Sequence, residues 1–255
     1  MNLQPAPATF KASHPDVYLT GELGERFSYC RGKLLLEPGE NHRIVPCRSL
    51  LEKAVFDAEI EAYSGLFPGA DRRALVSMWT MYYFGALFLS SAVSGFLFRL
   101  NVPAGLDELS LLADTRTAAP SAFLLPREKW PREAEADPEE AMEALLREHA
   151  RPLVQAVAAH GGVSQRLLWN NISAYLSWIV EEIGAFRGPG CAVEGRCLME
   201  NECWRDGQRN PLHGTIRLCE KNGNCVSCRK VCCLRYALPG VCGCGDICPL
   251  PQGRA

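Results

Sequence analysis

The hydrophobic pattern of this chain is mainly helical in its first half. Apolar residues at Leu50, Leu51, Val55 and Ile60 alternate with polar ones in a helix-like pattern, which predicts a helix over residues 49–63. A much longer apolar stretch follows at residues 74–98. Short apolar runs between Pro and Gly residues precede both, and they predict loops and short strands.

The stretch of residues 74–98 contains no charged residue and is long enough to cross a membrane as a helix. Serine, threonine, tyrosine and glycine residues dilute its apolarity, however. That content favours a fully buried core helix, which would then be the central helix of the fold. An integral membrane protein built around this stretch stays the alternative.

Two further helices have clear start and stop signals. Asp137 can cap the first of them, which Pro152 kinks or restarts and which ends at Gly161. Ser164 can cap the second, which runs to about Gly184. Both carry apolar residues at helical spacing, so they are predicted to pack against the core.

Two pairs of short apolar runs predict antiparallel strands. Residues 109–112 and 122–125 flank a turn-rich segment and predict a β-hairpin. A second hairpin is predicted from residues 215–218 and 226–231, which the turn signal Asn222-Gly223 joins. Taken with the helices, these strands indicate an α+β fold class, a predominantly helical single domain with small antiparallel strands.

The cysteines divide the chain into two regions. Of the 13 cysteines only Cys30 and Cys47 lie in the first 190 residues, and the other 11 lie in the last 65. We therefore predict a mainly helical body over residues 1–190 and an irregular, Cys-rich segment over residues 191–255.

Composition and charge exclude some classes of partner. With 27 Lys and Arg against 29 Asp and Glu, the formal net charge is −2, which is unsuited to binding nucleic acid or to a polybasic membrane anchor. The first residues show neither a basic region nor an apolar core of a secretory signal. A reducing compartment, the cytoplasm, is therefore expected, and clustered thiols there bind metal more often than they form disulfides.

The end of the chain carries the most specific chemical signal. Cys232, Cys233, Cys244 and Cys248 lie within 17 residues, and four thiolates can enclose one tetrahedral metal ion or bridge two irons. Adjacent residues of a strand face opposite sides, so both members of the Cys-Cys pair reach one site only if the backbone is irregular there. A loop of free or disulfide-bonded cysteines is the alternative.

This segment resembles the C-terminus of ferric-siderophore reductases of the FhuF type, whose hallmark is a Cys-Cys pair, ten residues and then Cys-x-x-Cys. Here Cys244 follows Cys233 after ten residues, and Cys248 stands one residue later than in the family. The resemblance implies a [2Fe-2S] cluster held by Cys232, Cys233, Cys244 and Cys248, with Cys242 as the alternative third ligand. It extends upstream, to Leu75–Trp79 and to Leu168–Asn171 among others.

The resemblance also implies the function. One-electron reduction of a ferric siderophore, of the hydroxamate class, would release Fe(II) in the cytoplasm. No Gly-x-Gly-x-x-Gly run for a dinucleotide is found, so an external donor such as a ferredoxin-like protein must supply the electron. Peripheral association with the inner membrane is compatible with this reading. The alternative function is a redox sensor or scaffold whose cysteines hold zinc or a cluster.

Residues that contact the siderophore are harder to assign. Trp79, Trp169, Asn171 and Arg235 are the candidates for docking the complex, since they combine aromatic and polar groups near the family-like positions. The role of the remaining late cysteines is open. Three of them form a run close to that of plant-type ferredoxins, which would be a second metal site if they were not incidental thiols. The set is Cys191, Cys197, Cys203, Cys219, Cys225, Cys228 and Cys242.

Overall fold

The computed structural model describes residues 24–129, 132–133, 137–221 and 223–250. Helices form most of the described structure, which confirms the predicted α+β class. The α-helices are α1 Lys53–Ser64, α2 Arg72–Phe98, α3 Pro138–Ala144, α4 Arg151–Gly161, α5 Gln165–Arg187 and α6 Pro189–Glu200. The strands are β1 Leu34–Leu35, β2 His42–Pro46, β3 Leu100–Asn101, β4 Ser110–Asp114, β5 Pro120–Leu124, β6 Arg132–Glu133, β7 Ile216–Lys221 and β8 Asn224–Arg229.

The strands form three small sheets. A four-stranded sheet has the order β1-β5-β4-β2, in which β1 runs parallel to β5 and the other pairs are antiparallel. Its central pair, β4 and β5, is the predicted hairpin. Strands β3 and β6 form one two-stranded sheet, and β7 and β8 form another, which confirms the second hairpin.

Helix α2 is the central element of the fold. The Asp71 side chain accepts a hydrogen bond from the Arg73 N–H at its start, and Arg99 ends it in the left-handed conformation (φ 55°). It packs against α5 and β5, and 83% of its most apolar 18-residue segment is buried. Of the described residues, α2 alone forms a helix long and apolar enough to cross a membrane. Its burial confirms the predicted core helix.

The predicted helix starts are also confirmed. The Asp137 carboxylate accepts from the Glu139 N–H, and the Ser164 hydroxyl accepts from the Leu167 N–H. A π-helical turn, Leu145–Ala150, separates α3 from α4, and Pro152 lies in the first turn of α4. The helix is therefore interrupted near Pro152 as predicted, and the interruption is a π-helical turn instead of a break in the helix.

Helix α6 corrects the sequence prediction, because residues after 190 were expected to be irregular. Pro189 begins a twelve-residue helix that packs closely against α5. A methyl group at Gly184 would lie 2.5 Å from the Ala192 Cβ, so the two backbones approach where side chains are smallest. Helix α6 begins in the predicted helical body and continues into the predicted Cys-rich segment. The division of the chain at residue 190 stays a prediction.

The close approach of α5 and α6 predicts a stability effect at Gly195. A Cβ there would lie 2.4 Å from Val180 Cγ2, so Gly195→Ala should lower the free energy of unfolding by about 1–3 kcal/mol. Gly190→Ala is the matched control, since nothing lies within 4 Å of its added methyl group. Urea unfolding of both variants checks this, and equal stability would show that the helices do not pack so closely.

Candidate metal centre

The β7–β8 hairpin holds the C-terminal loop in place. Gly223 takes a positive φ of 76° at the hairpin turn, while Asn222 lies outside the described residues. The Lys221 ammonium donates to the backbone carbonyls of Asp246 (2.7 Å) and Cys248 (2.6 Å). The Cys228 thiol donates to the Asp246 carbonyl as well, at 3.3 Å. Three hydrogen bonds therefore fix the loop that carries Cys248 against this hairpin.

The backbone around the Cys-Cys pair is irregular, as its expected function requires. Leu234 follows the pair with a φ of 60°, and its N–H donates to Cys232 Sγ at 3.3 Å. The Cys233 carbonyl accepts a hydrogen bond from the Ser77 hydroxyl of α2 at 2.7 Å. Cys232 lies close enough to Cys233 and to Cys248 for their charges to influence it.

Two of the four cysteines with the hallmark spacing are in direct contact. Cys233 Sγ lies 3.8 Å from Cys244 Sγ. Cys248 lies near Cys244, and Cys232 lies near Cys233 and Cys248. Cys242, the alternative third ligand, is exposed and takes no part in the contact between Cys233 and Cys244. The four cysteines of the preferred set therefore lie in one region, and their role as ligands stays a prediction.

The contact between Cys233 and Cys244 is compatible with metal binding. Two thiolates bound to one tetrahedral ion at about 2.3 Å lie about 3.8 Å apart, as the sulfurs of Cys233 and Cys244 do, and two free thiols in van der Waals contact lie at a similar distance. Within the described ranges no group of three or more His, Cys, Asp or Glu side chains is arranged to hold a single ion. Four cysteine thiols are the donor set that a [2Fe-2S] cluster takes, so the chemistry of these side chains fits that group.

One thiol of the contacting pair is predisposed to ionise. The pKa of Cys233 is lowered to about 6, chiefly because of its hydrogen bond with the Cys244 thiol and further because Arg229 and Arg235 lie nearby. The pKa of Cys244 is raised, since it keeps the proton of the pair and is partly buried. Thiolates, not thiols, bind metal, so Cys233 is the ligand most ready to do so.

A chain of buried hydrogen bonds supports the Cys-Cys pair. Arg229, which is 3% exposed, donates to Asn171 Oδ1 at 2.6 Å. Asn171 Nδ2 donates to the Ser77 hydroxyl at 3.2 Å, and Ser77 donates to the Cys233 carbonyl. This chain joins β8, α5 and α2 to the cysteines, so the support of the site comes from the helical body.

Comparison with known proteins shows the family of this chain. The family model described as "Ferric iron reductase FhuF-like transporter" matches residues 77–224, which is more than half of the chain. The chain belongs to this FhuF-like family. The matched range includes Ser77, Asn171 and most of the hairpin, but it ends before the four cysteines.

A curated relative and a solved structure add detail. The Ferric siderophore reductase of Escherichia coli (strain K12) is 34% identical over 110 residues, which cover 43% of this chain and 40% of the relative. The match thus spans well under half of that relative's length. The structure of aerobactin synthetase IucC from Klebsiella pneumoniae is similar with a TM-score of 0.51 and 16% identity, over 68% of this chain and 36% of that chain. At this identity the likeness shows a shared fold alone.

Three of the four residues expected to dock the siderophore lie in the interior of this FhuF-like protein. Trp79 is 0% exposed and stacks on Tyr83 with ring centroids 5.6 Å apart. Trp169 is buried beside Trp204, and Asn171 is buried in the hydrogen-bond chain. A side chain without exposed surface cannot contact a docked complex, so we correct these three assignments to supporting roles. Only the fourth of these candidates, Arg235, is partly exposed, and its role stays a prediction.

The ferredoxin-like run of cysteines does not converge. In the hairpin register Cys219 lies opposite Val226, and Arg217 lies opposite Cys228. Cys219 and Cys228 therefore share one face of the hairpin, whereas Cys225 lies on the other face. These three thiols cannot bind one ion while the hairpin is formed.

The sequence analysis did not identify two polar residues, Ser77 and Asn170, as part of the site. Ser77 was counted among residues that dilute an apolar helix, and Asn170 was not singled out. Asn170 accepts from the Val231 N–H at 2.7 Å and donates to the Thr215 carbonyl at 2.6 Å, which fixes the hairpin to α5. Polar residues inside an apolar helix were the available signal, because buried polar groups need partners.

Proposed function

We propose that this chain is a ferric-siderophore reductase in which Cys232, Cys233, Cys244 and Cys248 hold a [2Fe-2S] cluster. The observation that supports the proposal is the contact of Cys233 and Cys244 at 3.8 Å, with Cys232 and Cys248 nearby, in a member of the FhuF-like family. A cluster of this type, when bound, supplies one electron at a time.

The residues of the chain would then have distinct tasks. Arg229 and Arg235 lie beside Cys233 and offset the negative charge of the thiolates. Ser77 holds the Cys233 backbone through its carbonyl, which keeps that ligand in position. Cys232 and Cys244 are partly exposed, so they offer the shortest route between the site and a docked partner.

The chemistry of iron explains why electron transfer alone suffices. A siderophore binds Fe(III) through hard oxygen donors, and Fe(II) fits these donors less well. Reduction therefore releases iron without cleavage of the ligand. No acid or base needs to act on the substrate, and the task of the protein is to place the ferric complex near the thiolates.

The finer parts of the proposal concern partners and location. We propose a siderophore of the hydroxamate class, an external electron donor such as a ferredoxin-like protein, and a cytoplasmic site of action with peripheral association with the inner membrane. The absence of a dinucleotide-binding run in the sequence supports an external donor. Thirteen cysteines support a reducing compartment.

Anaerobic purification followed by visible and EPR spectra, before and after dithionite, tests this proposal. We expect a red-brown protein with two irons per chain that becomes EPR-active on reduction. A colourless protein with zinc would favour the sensor or scaffold instead. In stopped-flow mixing with a ferric tris-hydroxamate and a ferrous chelator, the reduced protein should reoxidise as the ferrous chelate appears. Reoxidation without that chelate would contradict the reductase.

A further inference from the structure

An exposed tyrosine interrupts the burial of the central helix close to the cysteines. Tyr82 of α2 is 43% exposed, although both of its neighbours in the chain are buried. Its ring packs against that of Tyr63, with centroids 6.4 Å apart. Large aromatic side chains in such positions offer area for binding at a low entropic cost.

A second tyrosine lies beside it. Tyr175 of α5 packs against Gly85, where an added Cβ would lie 3.2 Å from the Tyr175 Cζ and 3.4 Å from its hydroxyl. Gly85 is one helical turn beyond Tyr82, so the two tyrosines lie in one region of the fold, with Tyr82 exposed and Tyr175 partly buried. The Tyr175 hydroxyl also lies near Cys233, whose charge acts on it. Burial raises the pKa of Tyr175, which keeps the phenol protonated as a donor.

Arginine completes this region. Arg235 begins the short turn Arg235–Ala237, which packs on α2, and it lies near Tyr63, Tyr175 and Cys233. Its Nε is buried without a hydrogen-bond partner, and no carboxylate of the described ranges forms an ion pair with it. A guanidinium without a carboxylate partner is free to bind an anionic group of a ligand.

We propose that the ferric complex docks on the surface formed by Tyr82, Tyr175 and Arg235, beside Cys233, and that Arg235 favours complexes with carboxylate groups at their periphery. This inference rests on the proposed function and names the substrate class of its site. The phenol and guanidinium groups are donors, and the outer surface of an oxygen-coordinated ferric complex consists largely of acceptors. A complex on this docking surface would be adjacent to a cluster ligand, as electron transfer requires.

Two other exposed aromatic residues, Trp178 and Phe186, suit this role less well. Trp178 packs against Tyr29 with ring centroids 4.8 Å apart, and Phe186 packs against Phe27 at 5.5 Å. Neither has a described contact with the four cysteines. Phe186 and the neighbouring exposed Arg187 therefore provide matched control positions on α5.

The test uses two ferric complexes with the same iron coordination. One is the neutral tris(acetohydroxamato)iron(III), and the other carries one carboxylate on each hydroxamate ligand. The variants are Arg235→Gln and Tyr82→Ala, with Arg187→Gln and Phe186→Ala as controls. Two quantities are measured, namely the second-order rate of reoxidation of the reduced protein and the Kd of the corresponding gallium(III) complexes, which bind without accepting an electron.

We expect Arg235→Gln to weaken the gallium analogue of the carboxylate complex about tenfold and that of the neutral complex less than about twofold. Because Arg235 also lies beside Cys233, its loss changes the driving force for both ferric complexes, so the reoxidation rates are compared as the ratio of the carboxylate to the neutral complex, which should fall about tenfold. Tyr82→Ala should weaken both complexes about tenfold, and the controls should match the wild type. Unchanged affinities in both test variants, or equal effects of Arg187→Gln, would overturn the docking surface.

The two proposals fail in different ways. If the wild type reduces neither ferric complex but binds the gallium complexes with the expected order among variants, the reductase is contradicted and the docking surface stands. If the wild type reduces both complexes and Arg235→Gln and Tyr82→Ala behave as wild type, the docking surface is contradicted and the reductase stands.

Discussion

Cys233→Ser should abolish the visible absorption of the anaerobically purified protein. The Cys233 thiol is buried, contacts Cys244 at 3.8 Å and has a pKa lowered to about 6, so it is the thiolate most firmly placed in the group. A serine hydroxyl does not ionise at neutral pH and is a poor ligand for iron, which prefers sulfur in such clusters. Visible spectra and iron content per chain measure the effect.

Cys242→Ser is the matched control for this prediction. Cys242 lies two residues before Cys244 and also carries a free thiol, but it is exposed and takes no part in the contact between Cys233 and Cys244. We expect it to keep the colour and the iron of the wild type. Bleaching by Cys242→Ser, or a full cluster in Cys233→Ser, would show that the ligand assignment is wrong.

Local signals in the sequence were sufficient for most of the elements. Caps at Asp137 and Ser164 place helix starts because a side-chain oxygen satisfies backbone N–H groups within the same turn. The hairpin turn at Gly223 depends on a positive φ that glycine adopts easily. Such features depend on neighbouring residues only, so the printed sequence contains the information they need.

Helix α6 was missed for a reason that lies in packing. Its sequence is rich in glycine and cysteine, and glycine is a poor helix former in isolation. In the structure Gly195 allows close contact with Val180 of α5, so tertiary packing stabilises a helix that local propensity does not favour. The packing of α5 against α6 therefore provides the stabilisation that the amino acids of α6 do not provide by their own helix propensity.

The docking residues were misassigned for a related reason. Helix α2 is apolar nearly all round, so its pattern has no amphipathic phase from which to tell an inward from an outward position. Trp79 and Tyr82 are three residues apart, yet the first is 0% and the second 43% exposed. Only the packing of α1, α5 and the C-terminal turn around α2 decides which aromatic residue reaches the surface.

Arg229→Gln should lower the reduction potential of the anaerobically purified protein. Arg229 is buried beside Cys233, and its positive charge stabilises the added electron more than it would in water. Loss of that charge is expected to shift the midpoint by about −60 mV, which corresponds to about 1.4 kcal/mol for one electron. Potentiometric titration followed by visible absorption measures the shift.

Charge and hydrogen bonding at this position can be separated with a second variant. Glutamine lacks the charge and is too short to replace the hydrogen bond to Asn171 Oδ1, whereas Arg229→Lys keeps the charge although its reach is also shorter than that of arginine. If charge sets the potential, Arg229→Lys should restore most of it, even where it lowers the free energy of unfolding by about 1–3 kcal/mol through an unsatisfied Asn171. The exposed Arg217 of the same hairpin is the control, because solvent screens its charge. An equal shift in Arg217→Gln, or none in Arg229→Gln, would mean that the buried guanidinium supports the fold of the site and does not set its potential.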